Sequence, residues 1–267
     1  MYNDFSRLDA SLHACGTREK ERALVSEQEQ SKVAMVIMAH PDDAEFGCAG
    51  TVALWVREGW DVYYVVCTDG AGGGPDDATD VGLEAQRRVT ETRKREQRAA
   101  GEILGIKDVI FLNYPDGELE PTIDLRRDLV RVLRRYRPAR VICPSPERIW
   151  TPVLMIRRYH PDHLAVGVAS MAAIYPASQN PWAFPELMNE GLPPHKVSEI
   201  YIMGAPAVNY AVDISATIEQ KLAAMRAHVS QVGNFTELEP RIRKFSAEQG
   251  ARHGMTYAEE FHRAENL

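Results

Sequence analysis

The chain has 267 residues, 45% of them hydrophobic, enough for one large or two small domains with a substantial core; one domain is the expectation. Thirty-eight acidic side chains against 31 Lys and Arg leave a formal charge of -7, which argues against a general nucleic-acid binder, because phosphate contacts draw on clustered cations. No apolar run approaches the roughly 20 residues of a membrane span, no apolar leader core opens the chain, and Cys15, Cys48, Cys67 and Cys143 show no C-x-x-C spacing, so a soluble cytoplasmic protein with reduced thiols is expected.

Residues 1–31 are polar and charged and read as an N-terminal extension ahead of a single α/β domain over 32–267. The run Val33-Ala34-Met35-Val36-Ile37-Met38, ended by Pro41, predicts a buried strand that delivers His40, Asp42 and Asp43 to its carboxyl end. Helical spacing follows from Phe46 up to Gly59, with Asp42 or Asp43 as its cap. A second strand is expected over 61–67. The Gly-rich loop 68–75 after it lacks the G-K-[ST] ending of a P-loop and reads as a flexible wall of an active site.

Residues 82–104 are helical, with Gly105 as the stop and Arg93 and Glu96 three apart on one face, as a surface ion pair or with Arg93 free to reach a substrate oxygen. The basic runs at 93–95 and 134–137 read as solvated helix faces. A third strand spans 108–112, and Asp116-Gly117 at its exit reads as an ordinary turn. A helix over 124–136 and a strand over 140–144 come next, then an irregular stretch, 145–159. His160-Pro161-Asp162-His163 opens a helix that continues over 164–173, with Pro161 suited to its first turn. The Pro-rich, aromatic segment 175–194 reads as a lid or rim loop, or equally as an oligomer contact. Strands at 197–203 and 210–214, a helix from Ser215 to about Ser230 carrying His228, and a charged tail with helical stretches complete the chain. Strands alternating with helices predict a mostly parallel sheet covered on both faces.

The two His-Pro-Asp motifs each sit at a strand-to-helix transition on the same side of that sheet. His40, Asp43 and His163 then make a His₂Asp set with a vacant position, as in a catalytic zinc site, although iron, cobalt or nickel are also admitted. Asp42, beside a ligand, is left free to take a proton from water. His160 is placed to protonate a departing amine or steady an oxyanion, and Asp162 to hold the imidazole of His160 in one tautomer.

The 39–43 and 160–163 motifs, the 68–74 loop, the R-x-x-E at Arg93–Glu96 and the stretch 221–231 resemble the PIG-L/LmbE-like zinc-dependent N-acetylglucosamine deacetylases, and the resemblance covers about residues 31–231. It implies a Rossmann-like three-layer fold and hydrolysis of an N-acetyl group from a small amino-sugar conjugate. It also implies zinc on His40, Asp43 and His163, Asp42 as base, His160 with Asp162 in the acid or electrostatic role, and substrate contacts by Arg93 and His228. An amidase acting on a non-sugar amide, and a non-catalytic metal- or sugar-binding protein, are the alternatives. A homo-oligomer is compatible with the sequence.

Overall fold

The apolar run forms strand β1 (Val33–Met38), buried from Ala34 onwards. Burial on both faces is what a central parallel strand demands, and it explains why the run does not alternate in polarity. The fold comes from a computed structural model that describes residues 32–152, 156 and 159–267; the expected extension 1–31 lies outside the described residues.

After β1 come α1 (Asp43–Gly47), α2 (Ala49–Arg57), β2 (Asp61–Thr68), α3 (Leu83–Leu104), β3 (Asp108–Tyr114), α4 (Ile123–Tyr136), β4 (Arg140–Pro144) and α5 (Pro161–Ile174). A 3₁₀ turn (Ala177–Gln179), α6 (Glu186–Asn189), β5 (Glu199–Met203), β6 (Tyr210–Asp213), α7 (Ile218–Arg226), α8 (Val229–Val232), α9 (Leu238–Arg252) and β7 (Ala258–Glu265) follow. The seven strands form one sheet in the order β3-β2-β1-β4-β5-β7-β6. Strands β1 to β5 pair in parallel, and β7 runs antiparallel between β5 and β6.

Side chains of β1 alternate between two cores. Met35 and Ile37 pack with Leu125, Leu129 and Leu133 of α4 and Val166 and Ala169 of α5. Ala34, Val36 and Met38 pack with Val52 of α2, Ala100 and Leu104 of α3 and Leu222 of α7. The sheet is therefore the middle of three layers, as expected. Strand order reverses between β1 and β4: the chain leaves β1 towards β2 and β3, then returns to add β4 and β5 on the other side. That reversal opens a crevice at the carboxyl ends of β1 and β4, where open α/β sheets hold their ligands.

Several expectations are corrected. The helical pattern 46–59 breaks at Cys48 into α1 and α2. The charged tail ends in a strand, β7, whose Ala258, Glu259 and Phe261 are buried. The helix expected from Ser215 starts at Ile218; Ser215 Oγ instead accepts the Tyr257 N–H, and the helix ends at Arg226, so that His228 sits between α7 and α8. Segment 175–194 is no lid for the crevice. Helix α5 starts at the carboxyl end of β4 and runs back, so this connection lies at the amino ends of the strands. Arg134, expected in a solvated face, is buried and donates to the carbonyls of Ala177, Ser178, Asn180 and Ala183. Arg127 and Arg131 add ion pairs to Glu186 and Glu190. Among the described residues no helix is long and apolar enough to cross a membrane.

Candidate active site

The first half of the site is the turn from β1 into α1. Asp42 occupies the position before the helix with φ 94°, and its carbonyl accepts the N–H groups of Glu45 and Phe46. Its side chain makes no capping bond, contrary to the expected cap, and this leaves the carboxylate available. Asp43 Oδ2 accepts the His40 N–H at 2.8 Å, which closes the turn. The second half is the start of α5, where Pro161 takes the first helical turn and His160 caps the helix by accepting the Asp162 N–H on Nδ1 at 3.3 Å.

The two halves meet at three side chains. His40 Nδ1 lies 3.2 Å from His163 Nε2 and 3.5 Å from Asp43 Oδ2, and His163 Nε2 lies 3.1 Å from Asp43 Oδ1. Tetrahedral ligands at about 2.0–2.1 Å from a zinc ion stand about 3.3 Å from one another, so this donor set has the spacing of a closed face around such an ion. The other nitrogen of His40, Nε2, lies 3.0 Å from Asp116 Oδ1 and 3.2 Å from Asp162 Oδ2. A histidine whose far nitrogen is held by carboxylates presents its near nitrogen to a metal in a fixed orientation.

Charge tells the same story. Burial alone would keep His40 neutral, yet bonds to Asp116, Asp162 and Asp43 raise its pKa to about 11. Burial works against ionising Asp43 as well, but His163 and His40 hold its carboxyl far below the usual range. Asp116 and Asp162 are likewise lowered, against burial, chiefly by His40. Such a surplus of buried negative charge suits a divalent cation. A second group, His40, Asp116, His160 and Asp162, also converges. It suits a metal less well, because Asp162 already accepts the N–H groups of Gly117 and Leu119.

Asp162 therefore supports His40 rather than His160, to which its carboxylate comes no nearer than 3.8 Å. Arg93 forms no ion pair with Glu96, which instead accepts from Ser230. Arg93 is 5% exposed, turned inward, and donates to the carbonyls of Pro41 and Gly70, with Asp42 Oδ2 at 3.4 Å. Gly73 runs so close to this guanidinium that a Cβ there would lie 2.3 Å from it, which accounts for a glycine in the loop. His228 has no exposed surface to offer a substrate; its Nε2 meets Glu45 Oε2 at 3.1 Å behind Asp42. Thus His40, Asp42, Asp43, His160, Asp162 and His163 come together at the crevice, while Arg93 and His228 lie beneath it.

Asp116 was legible only as a turn. Its position two residues beyond β3, level with the ends of β1 and β2, is the signal that separates it from other Asp-Gly pairs. Its Oδ2 accepts the Gly72 N–H, and Asp69 accepts from both Ala71 and Asp116, so the loops after β2 and β3 are laced together. Buried Glu45 and Gln97 carried no sequence signal beyond helical spacing. A cavity of about 220 Å³ lined by Ser145, Tyr159, His163, Leu164 and Met203 opens directly on the His163 side chain. A larger one of about 540 Å³, between the Gly-rich loop and α3, includes none of His40, Asp43 and His163.

The chain is 36% identical, over 97% of its length and 92% of the relative's, to the diacetylchitobiose deacetylase of Thermococcus kodakarensis. It is 28% identical to a probable N-acetyl-alpha-D-glucosaminyl L-malate deacetylase 2 of Bacillus cereus, over 74% of this chain and 82% of that one. The N,N'-diacetylchitobiose deacetylase of Pyrococcus horikoshii, solved with an inhibitor, superposes with a TM-score of 0.78 at 28% identity, over 99% of this chain and 95% of that one. The PIG-L profile, GlcNAc-PI de-N-acetylase, matches residues 35–174, which include both halves of the crevice, and the chain belongs to the PIG-L family of deacetylases.

Proposed function

We propose that the protein is a zinc-dependent hydrolase that removes the N-acetyl group of a glucosamine-type conjugate, releasing acetate and a free amine. The observation that carries this reading is the convergence of His40 Nδ1, Asp43 and His163 Nε2 at 3.1–3.5 Å beside the uncapped carboxylate of Asp42. Zinc held by these three residues supplies polarisation of the acyl carbonyl and an acidified water.

The chain's own groups do the rest. Burial first, and then the charge of Asp43, raise the pKa of Asp42 to about 6, with Arg93 and His228 opposing. A base so placed ionises below neutral pH and still returns a proton readily. Asp42 takes a proton from the attacking water as the water oxygen bonds to the acyl carbon. It then gives that proton to the nitrogen as the C–N bond breaks.

Burial, the first cause, lowers the pKa of His160, which favours its neutral form. Its Nδ1 is engaged as an acceptor, which leaves the proton on Nε2. A neutral Nε2–H is a donor suited to steady the carbonyl oxygen as charge develops there. This favours the oxyanion role for His160 over delivery of a proton to the amine. The relatives named for diacetylchitobiose support a chito-oligosaccharide as the first substrate to try. The free, buried thiols of Cys48, Cys67 and Cys143 are in keeping with a cytoplasmic setting.

The test is acetate release from a panel of N-acetylglucosamine conjugates, diacetylchitobiose among them, with metal content quantified in the same preparation and a chelated control. Turnover that follows the zinc content is expected. Metal-replete protein that releases no acetate from any member of the panel, yet cleaves non-sugar acetamides, would transfer the reading to a general amidase.

A further inference from the structure

Two side chains of α3 grip one peptide group. Arg93 and Gln97 stand one helical turn apart and both point inward. The Arg93 guanidinium donates to the Pro41 carbonyl at 2.8 Å, while Gln97 Oε1 accepts the Asp42 N–H at 2.9 Å. Those two atoms are the C=O and N–H of the same peptide unit, the one that leads into Asp42.

That peptide unit needs holding. With φ 94° Asp42 lies in the left-handed region, which a residue bearing a Cβ adopts at a cost and keeps only when its surroundings fix it. The orientation of the Gln97 amide is fixed in turn. Its Nε2 donates to both oxygens of Glu45, at 3.1 and 3.2 Å, so Oε1 must face the Asp42 N–H. Glu45 is fully buried and is itself held by His228 Nε2 at 3.1 Å. The order of support is therefore His228, Glu45, Gln97 and the Asp42 backbone.

We propose that Gln97 is a positioning residue for the base: together with Arg93 it clamps the Pro41–Asp42 peptide group and thereby aims the Asp42 carboxylate into the crevice. This rests on the reading of Asp42 as the base. It gives α3 a purpose that its distance in sequence from both His-Pro-Asp motifs conceals, and it gives His228 a place three contacts behind the reacting groups. Gln97 touches neither the metal donors nor the open crevice, so its removal acts through Asp42.

The experiment uses full-length, metal-loaded protein and the variant Gln97→Met, which keeps the length of the side chain and its burial but neither hydrogen bond. Hydrogen exchange across residues 39–45 is expected to show the Asp42 amide exchanging at least about tenfold faster than in the wild type, because its acceptor is gone. Turnover is expected to fall about 10- to 100-fold in kcat with KM within about twofold and metal content unchanged. In an Asp42→Asn background the same substitution should change residual turnover by less than about twofold, since there is no carboxylate left to aim. An unchanged exchange rate, an unchanged kcat, or equal losses in both backgrounds would overturn the proposal. Should Gln97→Met fail to fold, Gln97→Asn withdraws the same acceptor by one methylene and is read by the same criteria. A wild-type protein that releases no acetate would sink the functional reading, while the exchange measurement would still decide the clamp.

Discussion

His40 Nε2 and Asp162 Oδ2 stand 3.2 Å apart, and through that contact the second motif orients the histidine of the first. Asp162 has no exposed surface, and backbone N–H groups of Gly117 and Leu119 hold it in place. Its substitution by Asn replaces one acceptor oxygen with a donor that must face either a backbone N–H or His40. Asp162→Asn is therefore expected to weaken zinc binding by about 10- to 100-fold, as loss of a carboxylate behind a ligating histidine does elsewhere. Competition with a chromophoric chelator measures it; affinity equal to the wild type would detach Asp162 from the metal.

The two histidines of the 160–163 motif should separate cleanly. His163→Ala removes one of three donors and is expected to yield protein without stoichiometric zinc. His160→Ala should retain zinc while losing turnover by about 10²- to 10³-fold, the range for removal of one oxyanion donor. It should also lose about 1 kcal/mol of stability, because the N-cap acceptor of α5 goes with the ring. Metal analysis beside thermal unfolding distinguishes these outcomes, and zinc loss from His160→Ala would make His160 a ligand.

Asp42 ties activity and stability to pH in opposite directions. Its pKa is raised to about 6 by burial and then by Asp43, so the ionised base accumulates as pH rises and kcat/KM should climb with an acid limb. A bound cation moves that limb below 6. In metal-free protein a folded-state value above the unfolded one means that the stability contribution is present below pH about 4 and lost as pH rises through about 6. Asp42→Asn, which never ionises, should therefore be nearly inactive yet more stable than the wild type at pH 7, by on the order of 3 kcal/mol. The gap should close below pH about 4. Urea unfolding of chelator-treated proteins at pH 4 and pH 7 checks this, and a variant less stable at pH 7 would contradict the buried, strained setting of Asp42.

The sheet and the convergence of His40, Asp43 and His163 were legible because each rests on a local pattern. An apolar run gives β1, and His-Pro-Asp at a strand end gives His40, Asp43 and His163. What sequence concealed depends on which way a side chain turns. Arg93 and Arg134 lie in basic runs on helices, and only the tertiary fold shows them pointing inward to backbone carbonyls. The resemblance implied a substrate contact for His228, yet the break between α7 and α8 buries it against Glu45. Strand β7 escaped because Glu259 stands where an apolar residue would have marked the inner face. Its charge is masked by partners 38 and about 208 residues away in the chain.

That buried Glu259 supplies the last prediction. It accepts the N–H groups of Gly50 and Thr51 and the Thr51 hydroxyl at the start of α2, and pairs with Lys221 Nζ at 2.7 Å; Lys221 also donates to the Phe46 carbonyl. A carboxylate at a helix N-terminus that meets four donors is well satisfied, whereas Lys221 depends on it for charge. Glu259→Gln removes the counter-charge and leaves the buried Lys221 ammonium beside a neutral amide, at a cost of about 3–5 kcal/mol. Lys221→Met leaves the carboxylate three donors and should cost clearly less. The double variant, with no buried cation to strand, should be more stable than Glu259→Gln alone. Denaturant unfolding of the three proteins tests the order; equal losses for the two single variants would show that the pair, and not the anchoring of α2 beneath the His40–Asp43 turn, is what Glu259 provides.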